Sequence, residues 1–157
     1  MRRKEKEIQQ PELIRRIMDE AQVCRLGLCK DNVPYIVPVS FGYDGSSIYF
    51  HTALEGRKND FLAAGNRVCF ELEHEVAIVP HTDLGCGWTC SFYSIIGYGS
   101  VEELTDAAER EQGLQQIMRH YSGRTWTFQE QHLQHTRVWR LRIEQISGKQ
   151  SKDKLGA

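Results

Sequence analysis

Pro34-Tyr35-Ile36-Val37-Pro38-Val39-Ser40-Phe41-Gly42-Tyr43-Asp44-Gly45-Ser46-Ser47-Ile48-Tyr49-Phe50-His51-Thr52 reads as two β-strands joined by a tight turn. Asp44-Gly45 between apolar runs is a strong hairpin signal, because Gly supplies the positive φ that such turns demand. The spacing predicts strands over Pro34–Tyr43 and Ser47–Thr52. Pro38 cannot donate to a ladder, so it belongs at an edge, a bulge or a crossing point. Outward from this hairpin, Val23–Lys30 reads as the preceding strand, with Asp31-Asn32 as its turn. Pro11 opens a helix whose Leu13, Ile14, Ile17, Met18 and Ala21 fall on one face. Phe61–Ala64 reads as a short helix stopped by Gly65.

Three longer segments complete the pattern. Val68–Val79 predicts a strand interrupted near His74, and Thr89–Leu104 a long one able to bend at Gly97 and Gly99. Asp106 and Glu109 have capping-box spacing and open a helix to about Tyr121, with Leu114, Ile117, Met118 and Tyr121 expected on its buried face. Arg137–Ile146 alternates as the last strand. Six strands without βαβ alternation exclude a dinucleotide-binding doubly wound sheet and fit a small antiparallel barrel with peripheral helices.

The 157 residues carry 20 Lys+Arg against 21 Asp+Glu, and no repeat or linker divides them, so one domain over 1–157 is expected. Balanced charge argues against nucleic acid as a partner, and no apolar run reaches the roughly 18 residues of a membrane span. The basic start Met1-Arg2-Arg3-Lys4 is not followed by the apolar core of a secretory signal. Five cysteines, an odd number in a chain that needs no staples, suit reduced thiols and a cytoplasmic location.

Chemistry concentrates in Ile48-Tyr49-Phe50-His51-Thr52-Ala53-Leu54-Glu55-Gly56-Arg57-Lys58-Asn59-Asp60-Phe61-Leu62. A strand runs into a turn, and two cations precede a helix. Unpaired N–H groups at a helix start, Arg57 and Lys58 beside them, and Gly56 permitting close backbone approach would suit a phosphate. The plainer reading is a solvated Arg-Lys pair, yet cations are disfavoured at the positive end of a helix unless an anion joins them. His51 titrates near neutrality and could protonate a substrate, or merely pack at the barrel rim. Cys86 and Cys90, with His81 and His74, have a spacing that zinc tolerates, but no second cysteine pair follows, and no metal is assigned. Cys24, Cys29 and Cys69 read as small core residues, His120 as a solvated or dipole-facing histidine at a helix end, and His132 and His135 as loop residues. Trp88, Phe92, Tyr93 and Trp139 suit core or interface positions, with Trp88 the best candidate for a pocket wall.

The chain resembles the FMN-binding split-barrel superfamily that includes pyridoxamine phosphate oxidases, and more closely its nitroimidazole-resistance (Nim) branch. The resemblance rests on Pro34 to Tyr43, on Tyr49-Phe50-His51-Thr52-Ala53-Leu54-Glu55-Gly56-Arg57-Lys58, on Ser94-Ile95-Ile96-Gly97-Tyr98-Gly99 and on Ser147-Gly148-Lys149. It implies a mainly β fold, a six-stranded antiparallel split β-barrel with flanking helices. It implies that Arg57 and Lys58 bind the phosphate of FMN, with Gly56 beside it where the oxidases often carry a Ser. It further implies that His51 and Thr52 lie beside the flavin, that Pro38, Val39, Ser40 and Phe41 meet the isoalloxazine edge, and that the flavin lies between the subunits of a homodimer. No C-terminal substrate segment of the oxidases is recognisable. The expected activity is reduction of a small nitroaromatic substrate, with His51 as the catalytic residue. The rivals are a flavin-binding or flavin-storing protein and a split barrel that binds haem.

Overall fold

The computed structural model describes residues 3–65 and 67–155. Eight strands form one sheet: β1 (Glu7–Ile8), β2 (Cys24–Lys30), β3 (Val33–Val39), β4 (Phe41–Tyr43), β5 (Ser47–Ala53), β6 (Arg67–Val79), β7 (Thr89–Leu104) and β8 (Thr136–Gln150). The helices are α1 (Pro11–Glu20), α2 (Arg57–Ala64), α3 (Ala107–Ser122) and α4 (Glu130–Gln134). The strand order is β3-β2-β6-β7-β8-β5-β4, with β1 added to β8, and the pairs are antiparallel.

That order forces a barrel. β3 and β4 stand at opposite ends of the path, yet only Ser40 separates them in the chain. In a flat sheet the two would be roughly 29 Å apart, six spacings of about 4.8 Å. One intervening residue spans about 7 Å at most. The sheet therefore rolls until its edges meet at Ser40, and the edges stay unpaired beyond it, which makes the barrel split. Pro34 and Pro38 lie on β3, which has a neighbour on one side only, where a strand proline is tolerated.

The mainly β split-barrel expectation stands, with eight strands instead of six. The single strand expected over Pro34–Tyr43 is two strands that change neighbours at Ser40, and β1 is a two-residue addition. The last strand continues past Ile146 to Gln150 because β1 and β7 flank it there. α2 begins at Arg57 instead of Phe61, and His132 lies in the short α4, with His135 at its C-cap, instead of in a loop. Asp106 caps α3 as expected, its carboxylate accepting the Glu109 N–H at 3.0 Å. Tyr121, expected on the buried face of that helix, is exposed. β6 shifts register between His74 and Ala77, and β7 between Tyr98 and Gly99. A Cβ at Gly99 would lie 2.0 Å from the Arg142 carbonyl oxygen, so only glycine admits the approach of β8 at that bend.

Phe41, Phe50, Phe70, Leu26 and Ile95 fill the barrel, with Ile17 and Met18 of α1 packed into the same core. A smaller cluster, Leu104, Leu114, Ile117 and Val138, fixes α3 to the outside of the sheet. Elsewhere the outer face is open. The registers align Ile36, Gly27, Cys69, Tyr98 and Gln145 in one row across five strands, with Ile36 71% and Tyr98 43% exposed. Among the described residues no helix is long and apolar enough to cross a membrane.

Candidate functional site

β5 sends Ile48, Phe50 and Thr52 inward and Tyr49, His51 and Ala53 outward, as strand alternation requires. His51 is therefore presented on the outer surface, opposite Val138 of β8. On its other side β4 pairs Phe41 with Phe50, and one further step of that register puts Ser40 across from His51. The crossing point of the split and the histidine thus share one place in the fold.

Beyond β5 the chain turns through Gly56, whose φ of 125° is a conformation L side chains rarely adopt, and an added Cβ there would meet nothing within 4 Å. The Gly56 carbonyl accepts the Asn59 N–H at 2.9 Å and so starts α2. No side chain among the described residues caps this end. Helix starts leave N–H groups unpaired, and the peptide dipoles make them electropositive. Arg57 and Lys58 stand in the same turn. The Arg57 guanidinium lies 4.8 Å from the centroid of Tyr35 on β3 and 5.4 Å from that of Phe61, so it rests on an aromatic pair that joins α2 to the barrel.

The electrostatics agree with this crowding of positive charge. Burial of the Lys58 stem lowers its ammonium pKa. Burial, and then the Lys58 cation, hold the His51 imidazole below its ordinary value although the residue keeps an exposed edge. Asn59 is 4% exposed; its Nδ2 donates to the Ala53 carbonyl at 2.8 Å, pinning the first turn of α2 to the end of β5. Its Oδ1 is buried without a hydrogen-bond partner among the described residues. Such an atom costs about 1–3 kcal/mol unless something else donates to it.

The expected site residues separate into two groups. His51, Gly56, Arg57, Lys58, Pro38 and Ser40 reach the surface. Val39, Phe41 and Thr52 point into the barrel. The Thr52 hydroxyl donates to the Ala53 carbonyl at 2.9 Å and accepts the Trp139 indole N–H at 3.1 Å. The Phe41 N–H donates to the Tyr121 hydroxyl at 3.1 Å. What these three give the surface is position. Tyr35 and Asn59 were not singled out by the sequence reading, although Asn59 lies three residues after Gly56, where a helix start often carries a polar partner.

The remaining candidates disperse. His120 is packed 4.4 Å from the Phe41 ring centroid, with its Nε2 2.7 Å from the Ala21 carbonyl, so it is structural and not solvated. His74 faces Glu20 at 3.0 Å, while His81 Nδ1 accepts the N–H groups of Asp83 and Leu84. No group of three or more His, Cys, Asp or Glu among the described residues is arranged to hold a metal ion. Of the three cysteines expected in the core only Cys24 is there, its thiol pushed up to about 12 by burial. Cys29 is exposed and Cys69 half-buried, because both fall on the outward parity of their strands. Trp88 is 55% exposed, whereas Tyr93 and Trp139 are buried. Clefts of about 510 Å³ and 530 Å³ lie beside Glu20 and His74 and beside Pro11 and Ile143, away from His51. The site at His51 and Arg57 is an open surface in one protomer.

An uncapped helix start, two cations, an unencumbered glycine and an orphaned amide oxygen fit a phosphate monoester carried on a hydroxylated chain. Arg57 and Lys58 are the residues that would hold such a phosphate. A protein of Bacteroides thetaiotaomicron VPI-5482 named for 5-nitroimidazole antibiotic resistance superposes with a TM-score of 0.80 at 28% identity, over 91% of this chain and 85% of that one. The FAD and heme binding protein of Mycobacterium smegmatis gives 0.79 at 21%, over 94% and 74%. The flavocytochrome Anf3 of Azotobacter vinelandii gives 0.77 at 21%, over 93% and 69%; these last two likenesses establish the fold. No curated protein matches the chain. Residues 10–150 match the family model described as pyridoxamine 5'-phosphate oxidase, and the chain belongs to that family.

Proposed function

We propose that the protein binds FMN as a homodimer and reduces small nitroaromatic compounds. The observation that carries this reading is the uncapped first turn of α2, which holds Arg57 and Lys58 after Gly56, with the Lys58 charge felt at His51. The 28% identical neighbour named for nitroimidazole resistance supports the substrate class. A bound flavin supplies the electron-transfer chemistry. The protein's own residues then have separate tasks. Arg57 and Lys58 neutralise the phosphate, and Tyr35 and Phe61 hold the guanidinium flat. Pro38 and Ser40 border the ring edge. His51, whose pKa is lowered by burial and by Lys58, donates a hydrogen bond from its neutral ring, or a proton when protonated, where negative charge develops on the substrate.

The dimer is supported by the open row of Ile36 and Tyr98, and by Ile96 on the adjoining row at 43% exposure. A two-fold contact over that face would cover it and wall the open site from the second subunit. Five unpaired cysteines agree with a reducing, cytoplasmic location.

The test is the paired substitution Arg57→Ala with Lys58→Ala. Each charge-assisted contact is worth roughly 1.5–3 kcal/mol, so FMN affinity falls on the order of a hundredfold or more while riboflavin affinity holds. Equal losses for the two flavins would rule out phosphate recognition here. The absorption spectrum of the purified protein separates flavin from haem, and turnover of a nitroimidazole separates an enzyme from a flavin store.

A further inference from the structure

A second cleft, of about 420 Å³, opens where Val79 of β6 and Thr89 and Cys90 of β7 meet the turn after β8. Its volume falls within the roughly 300–1,000 Å³ of small-molecule sites. None of its lining residues belongs to the surface at His51 and Arg57. Phe92 provides a flat aromatic wall, fixed by its backbone: its N–H donates to the Ser151 hydroxyl at 3.0 Å, and its carbonyl accepts the Ser151 N–H at 3.0 Å.

Three lysines stand near that ring or on the walls of the cleft. β1 pairs with the end of β8, Glu7 opposite Lys149 and Ile8 opposite Gly148, and so brings the turn Lys4–Lys6 against the turn Lys152–Lys154. Lys6 and Lys152 line the cleft, and Lys149 Nζ lies 5.5 Å from the Phe92 centroid. Among the described residues none of these three lysines has a carboxylate within 4 Å, whereas Lys154 is paired with Glu75. The carboxylate on the cleft wall, Asp153, accepts the Ser91 hydroxyl at 2.6 Å. The other acids nearby are Glu5, in the same turn as Lys6, and Glu7, across the β1–β8 pair from Lys149. Across these turns Lys4, Lys6, Lys149 and Lys152 face Glu5, Glu7 and Asp153, with Lys154 paired to Glu75, which leaves one net positive charge and favours an anion.

We propose that this cleft binds a small planar aromatic carboxylate, its ring against Phe92 and its carboxylate between Lys6 and Lys152. The site is independent of the flavin reading, because it shares no residue with the phosphate-binding turn. Lysine suits a solvated point contact of this kind, where no bidentate fork is needed.

The test is calorimetric titration of the protein as purified with naphthalene-2-carboxylate and with the neutral naphthalene-2-carboxamide, which share one flat body. The carboxylate binds at least tenfold more tightly, and Lys6→Gln with Lys152→Gln removes that difference. Lys152 is exposed and Lys6 half-buried, both on surface turns and neither with a carboxylate partner among the described residues, so the fold survives the two substitutions. Alkylation of Cys90, read by peptide mass, slows in the carboxylate and not in the amide. Equal affinity for the two ligands, a preference that persists in the double variant, or release of bound flavin by the carboxylate would each overturn the assignment.

Discussion

At the scale of single residues, the Lys58 cation acts on the His51 imidazole. Burial is the larger cause of the lowered His51 pKa and the Lys58 cation the smaller. Lys58→Gln therefore raises the imidazole pKa without restoring its ordinary value, as NMR titration of the His51 ring will register; an unmoved titration would place the ammonium elsewhere. The sign for stability follows. The folded state holds His51 neutral, so the unfolded chain takes up more protons below the ordinary imidazole range near 6.5. His51 costs nothing at alkaline pH and destabilises the fold increasingly as pH falls below that range. An added phosphate dianion opposes the Lys58 effect, so FMN shifts the titration upward where riboflavin does not. In turnover, His51→Ala keeps FMN and loses roughly 10²–10⁴ in rate, the usual worth of general acid catalysis. His51→Gln retains part of the rate through hydrogen bonding. Wild-type turnover by His51→Ala would make the residue a packing contact.

At the scale of elements, the capping of α3 can be measured cleanly. Asp106→Ala removes the bond to the Glu109 N–H. Such caps are worth about 1 kcal/mol, and a domain of this size loses roughly 2–4 °C in Tm for that amount. A calorimetric scan without a shift would mean the cap adds nothing beyond solvent. This cap was legible in the sequence because its parts lie three residues apart. The split was not. Val39 and Phe41 point inward while Pro38 and Ser40 point outward, so the alternation runs unbroken through the place where the strand changes partners. Periodicity reports the face of a strand and is silent about its neighbour; Pro38 was the one hint. The two residues of β1 are too few to have a period, and α4 lies in a polar stretch without an apolar stripe. The Gly56-Arg57-Lys58 turn was legible as contiguous chemistry. Tyr35 joins it only after the barrel closes, and the orphaned oxygen of Asn59 is a property of packing.

At the scale of the whole molecule, the proposed dimer can be tested at the open face. Ile96→Lys with Tyr98→Lys places two charges on a surface whose residues are already 43% exposed, so the monomer fold tolerates them. The expected result in light scattering is a monomer in place of a dimer, with flavin lost from the half-built site. A dimer that survives with full flavin would move the interface to another face. The same barrel is also a tube with a slit along its length, fastened at one point by Ser40. A slit tube resists twisting far less than a closed one, and its lips part most at the end remote from the fastening. Motion of β3 and β4 is therefore expected to be least beside Ser40, across from His51, and to grow with distance from it toward Val33 and toward Tyr43. Hydrogen exchange should be slowest at that pinned end and quicken along both lips. His51, the proposed proton donor, then stands at the still point of a compliant cylinder, with the mobility of the seam away from it.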